Sequence, residues 1–72
     1  MELFMRKHAL EQARERGVGM NEIKETIQRG AKSIQDEGKT VSIYRHIKII
    51  FRKEEDKYFI ITVMIRKEEN GK

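Results

Sequence analysis

The chain has 72 residues, with 16 Lys+Arg against 12 Asp+Glu, a net charge of +4, and no Cys, Pro or Trp. The missing cysteines exclude a disulfide framework and a thiolate metal site, and two histidines without further ligand spacing argue against a structural zinc, so no metal or cofactor is expected. No run approaches the roughly 18 apolar residues of a membrane span and no secretory pattern opens the chain, which predicts a soluble, cytoplasmic protein.

A chain of this length makes one domain that buries only about 60% of its unfolded surface. So thin a core leaves a homodimer open. The basic balance, with a pI near 9.6, favours an anionic partner without identifying it.

In chain order, Leu3, Phe4 and Met5 form a short apolar piece that reads either as a first edge strand or as a lead-in beneath the first helix. Residues 6–16 are rich in helix formers, with Leu10 and Ala13 on the apolar face and Ala9 and Ala13 small enough for close approach to a sheet. Gly17 supplies a left-handed stop. The second helix, 20–29, starts from Gly19 as N-cap with Glu22 reaching back, and Val18 and Ile23 fit a hydrophobic staple. Met20, Ile23 and Ile27 make its stripe and Gly30 ends it.

Beyond Gly30 the period becomes alternating. Strands are predicted at 31–36, 40–44, 47–52 and 58–66, with Val41, Ile43, Ile47, Ile49 and Phe51 on the core side. Between them lie Glu37-Gly38-Lys39, the triplet Tyr44-Arg45-His46, which is either a tight turn or a bulge, and the polar stretch around Glu54-Glu55-Asp56. In the last strand, alternation sends Phe59, Ile61, Val63 and Ile65 to the core and Tyr58, Ile60, Thr62, Met64 and Arg66 to the other face. Placing Ile47, Ile49 and Phe51 beside Val63, Ile61 and Phe59 requires the three-residue loop Glu54-Glu55-Asp56, with Asp56 left-handed. The tail 67–72 is polar and expected to fray.

His8-Ala9, Arg16-Gly17-Val18, Ile23, Ile27, Gly30 and Ile61-Thr62-Val63 together resemble the family known as domain of unknown function 4258. That family in turn resembles the RelE, BrnT and barnase/EndoU-type superfamily of metal-independent ribonucleases. The resemblance implies an α+β fold, an N-terminal two-helix hairpin packed on one face of a four-stranded antiparallel sheet. It further implies action on RNA, in the manner of toxin–antitoxin toxins, with an antitoxin protein as a partner. One departure is Arg6-Lys7 ahead of His8, where such sequences carry a small capping residue.

A metal-independent endoribonuclease needs an acid/base pair and donors around the reacting phosphate. His8 is the acid/base candidate, as the side chain type best suited to trading a proton near neutral pH, and Thr62 is a phosphate donor. Arg16, Arg45 and Arg66 are phosphate-binding candidates, with Tyr44 and His46 able to stack on a base or bind phosphate. Each has a plainer reading. Arg16 lies about 12 Å along the helix from His8 and suits capping or an ion pair, Thr62 is a common strand residue, and the triplet has the make-up of a turn. Two further functions fit the residues: a non-catalytic dimerisation or partner-binding module using Ile60 and Met64, and an RNA- or DNA-binding module that does not cleave.

Overall fold

The computed structural model describes residues 1–66, so the tail 67–72 lies outside the described residues. Its elements are β1 (Glu2–Met5), α1 (Lys7–Arg16), α2 (Met20–Arg29), β2 (Ala31–Ile34), a 3-10 turn (Asp36–Gly38), β3 (Thr40–Tyr44), β4 (Ile47–Glu54) and β5 (Lys57–Ile65). The described strands form one sheet in the order β1-β5-β4-β3-β2. Among the described residues no helix is long and apolar enough to cross a membrane.

The sheet corrects the expected architecture. It has five strands and is mixed, because β1 pairs parallel with β5, setting Leu3 beside Tyr58 and Met5 beside Ile60. The helices therefore follow a strand and do not open the chain as a hairpin. A four-residue strand is too short to show a period, and its partner lies more than fifty residues away. Nothing local marks that pairing.

Helix α1 begins without a polar cap: Arg6, extended at φ −67° and ψ 154°, holds the N-cap position with no side-chain capping bond. It ends at Gly17, left-handed at φ 68°, with Val18 N–H donating to the Ala13 carbonyl (2.9 Å). At the start of α2, the Gly19 N–H donates to Glu22 Oε1 (2.8 Å). Glycine has no side chain to return the bond, so the capping box is half made.

The small residues decide how α1 packs. Ala9 and Ala13 are buried and Leu10 is exposed, which corrects the expected apolar face and lets α1 lie close on β5. On α2 the buried stripe is Ile23, Thr26 and Ile27, while Met20 is exposed. The core joins these to Val18, Ile47, Ile49, Phe51, Ile60 and Val63. Ile23, Ile49, Ile60 and Val63 are fully buried, each contributing about 1.5–3 kcal/mol relative to exposure.

Strand β5 is bulged. Ile50 faces Thr62 and Phe51 faces Ile60, leaving Ile61 as an extra residue. The extra residue reverses parity for everything before it. Val63 remains on the helix side, but Ile60 and Tyr58 join it there, and Phe59 and Ile61 turn to the other face. The expected register of Ile47, Ile49 and Phe51 against Val63, Ile61 and Phe59 is replaced by Ile65, Val63 and Ile60. The hairpin loop is two residues, Glu55-Asp56, and Glu55 (φ 58°) takes the left-handed position, not Asp56.

The β3–β4 connection resolves as a two-residue turn, Arg45-His46, with Arg45 at φ 58°. Its register pairs Val41 with Ile50 and Ile43 with Lys48, placing both on the face away from the helices, contrary to expectation. Thr40, Ser42 and Tyr44 point to the helices instead. Buried Ser42 is accommodated because its hydroxyl donates to the Thr26 carbonyl (2.6 Å).

Candidate functional site

Both helices lie on one face of the sheet, α1 against β5 and α2 against β3 and β4. The other face carries no element among the described residues. Strand register arranges that open face in transverse rows. One row is Ala31, Ile43, Lys48 and Met64; the next is Ser33, Val41, Ile50 and Thr62; the third is Arg52, Phe59 and Phe4. Val41 is buried although it lies outside the main core, and Phe4 is 43% exposed.

The third row has the most distinctive chemistry. Phe4 and Phe59 stack with centroids 5.2 Å apart and planes 20° apart. Beside them a pocket of about 180 Å³ is lined by Arg6, Arg52, Glu54, Phe59 and Ile61. The bulge builds its floor, since it turns Phe59 and Ile61 away from the core. One Arg52 N–H donates to the Glu37 carbonyl (3.1 Å), which steadies the guanidinium and leaves its other donors for a ligand. Arg6 arrives from the β1–α1 junction. A larger cavity, lined by Gln35, Asp36, Glu37 and Lys39, sits at the exposed 3-10 turn, away from the aromatic pair.

The residues singled out from sequence fall into separate groups. His8 is exposed in the first turn of α1, on the helix side, and its side chain makes no hydrogen bond or ion pair among the described residues. Thr62 is half-buried on the open face, so the sheet stands between the two. Arg16, at the far end of α1, lies 3.6 Å from Glu15 and donates to the Gln12 carbonyl at 3.5 Å. These contacts hold it along its own helix.

Tyr44, Arg45, His46 and Arg66 do come together. The Arg45 guanidinium lies 5.2 Å from the Tyr44 ring centroid, and the Arg66 N–H donates to the His46 carbonyl (2.7 Å). They form a basic, aromatic-bearing end of the sheet, two residues along β4 from Lys48. No group of three or more potential metal ligands occurs among the described residues.

Sequence reading missed Phe4, Arg6, Phe59, Ile61 and Glu54. Unbroken alternation places Phe59 and Ile61 in the core, and nothing local in the sequence pairs Phe4 with β5. No sequence signal marks the bulge, because the opposition of Ile60 to Phe51 appears only in the folded register.

The model of one family matches residues 5–65, nearly the whole described structure. The chain belongs to the family of the domain of unknown function DUF4258. No curated protein and no solved structure matches it. The match to the DUF4258 family covers both helices and β2 to β5 but reaches only the last residue of β1, Met5, so most of the open face belongs to the family region. Phe4 lies just outside it.

Proposed function

We propose that the chain is an RNA-binding domain that receives single-stranded RNA on the open face of its sheet. The observation that carries this is the row Arg52–Phe59–Phe4: a guanidinium and two stacked rings in register on an uncovered face. Bases of any sequence stack on aromatic faces, and flanking cations follow the phosphates. Lys48 extends the positive charge along β4 toward Arg45, His46 and Arg66. The net charge of +4 agrees in sign.

Binding is the part of the ribonuclease reading that the geometry supports best. Cleavage through His8 and Thr62 would need both at one phosphate, and they lie on opposite sides of the sheet. The test is fluorescence anisotropy with a labelled RNA oligomer, alongside a cleavage assay in EDTA that looks for 2′,3′-cyclic phosphate ends. Phe4→Ala should weaken binding by about 1–3 kcal/mol, or roughly 5- to 150-fold, and should also cost about 0.5–1.5 kcal/mol of stability through the lost stacking on Phe59, so binding is measured at a temperature where circular dichroism shows the variant folded. Unaltered affinity in Phe4→Ala would remove the aromatic platform from the interface. Cyclic ends that disappear in His8→Ala would restore the catalytic reading.

A second reading rests on a different observation: Val41, Ile43, Ile50, Ile61 and Met64 make the middle of the same face apolar. That suits a protein partner or a second copy, now without Ile60, which is in the core. A concentration-dependent dimer in sedimentation, abolished by Met64→Asp, would favour it.

A further inference from the structure

We propose that the pocket of Arg6, Arg52, Glu54, Phe59 and Ile61 is a nucleobase subsite that selects guanine; it rests on the RNA-binding reading for its source of bases. Its size argues for one ring system. At about 180 Å³ it falls well below the roughly 300–1,000 Å³ of pockets that enclose a drug-sized molecule. Its chemistry argues for which ring. Phe59 and Ile61 give an apolar floor on which a planar ring can lie.

Three of the residues that line the pocket are charged: two arginines, whose guanidiniums only donate, and one glutamate, whose carboxylate only accepts. None of the three forms an ion pair with another among the described residues, although they share one small pocket. Donors and acceptors are therefore left for a ligand. Among the four bases, guanine alone presents two adjacent donors, N1–H and the N2 amino group, matching the two oxygens of Glu54. On its other edge O6 and N7 accept, as an arginine fork requires. Adenine and cytosine would set a ring-nitrogen acceptor against the carboxylate, and uracil offers a single donor between two carbonyls. The lone acidic side chain among the pocket's residues would then read the base, with the arginines holding its far edge or its phosphate.

The test measures binding of GMP, AMP, CMP and UMP to the intact chain by amide chemical-shift titration, then repeats it with Glu54→Gln. The same proteins are titrated with short RNA oligomers that contain or lack guanine. GMP should bind at least about tenfold more tightly than the other three, and Glu54→Gln should weaken GMP by about 10- to 100-fold while leaving the others nearly unchanged. Glu54 is exposed, so the variant is expected to fold, which circular dichroism checks. Equal affinity for all four nucleotides, or a guanine preference that survives Glu54→Gln, overturns the subsite. RNA binding that ignores guanine content also overturns it and leaves the RNA-binding reading intact. Selective GMP binding without affinity for any oligomer supports the subsite and removes the RNA-binding reading. Absence of binding to every probe removes both.

Discussion

At the end of α2 the chain has no room for a side chain. Gly30 is extended (φ −71°, ψ 160°), so it does not supply the left-handed stop that its position suggests. A Cβ there would collide with Ser42 Oγ and with the carbonyl oxygens of Thr26 and Ile43. Two of those atoms are backbone and cannot swing away. The same corner carries the buried Ser42 hydroxyl bonded to Thr26 and the Gly30 N–H bonded to the same carbonyl (2.8 Å). Gly30→Ala should therefore destabilise the fold by about 1–3 kcal/mol through overpacking. Urea denaturation checks this: the midpoint should fall with the slope unchanged, since the same surface is exposed on unfolding. The contrast with Gly17 is instructive. Both glycines read as helix stops in the sequence, but Gly17 is required by its positive φ and Gly30 by a contact with β3 that no local pattern could reveal.

Among the elements, β5 shows where alternation stops being a reliable guide. Ile60, Ile61, Thr62 and Val63 are all good strand formers, so nothing in their type marks Ile61 as an extra residue. The apolar content of the strand and its antiparallel partner β4 were legible. The face of each residue before Thr62 was not, because one bulge inverts them together. Beyond Ile60, where β1 stops, α1 serves the outer edge: Gln12 Oε1 accepts the Val63 N–H at 3.1 Å. A helix side chain thus substitutes for a missing strand neighbour. The bulge also settles the turn. With two loop residues, Glu55 carries φ 58°, a conformation costing a side-chain-bearing residue about 1–2 kcal/mol. Glu55→Gly should stabilise the protein by about 0.5–1 kcal/mol, relief of strain outweighing the added freedom of the unfolded chain. Asp56→Gly, at negative φ, should destabilise it. Thermal unfolding separates the two, at roughly 4–8 °C per kcal/mol for a domain this small; stabilisation by Asp56→Gly alone would instead favour the three-residue loop.

For the whole molecule, the decisive asymmetry is that both helices cover one sheet face and leave the other uncovered among the described residues. The residues that give this open face its most distinctive chemistry come from β1, β4, β5 and the β1–α1 junction, so no contiguous sequence motif could have described it. Tyr44, Arg45, His46 and Arg66 were legible as cationic and aromatic residues near strand ends, and the fold gathers them. His8 and Thr62 were legible by type, and the fold parts them. If RNA lies across the open face, its phosphates should be neutralised by cations of that face and not by the Lys and Arg side chains of the helices. Each phosphate contact with a single strand contributes about 0.7 to the slope of log affinity against log salt. Lys48→Gln should therefore lower that slope by about 0.7, whereas Lys24→Gln, on the exposed side of α2, should leave it unchanged. Affinity measured across a salt series in the two variants decides the matter, because diffuse attraction by net charge would reduce both slopes alike. Equal reductions would assign RNA affinity to the overall charge of +4 and take the open face out of the interface.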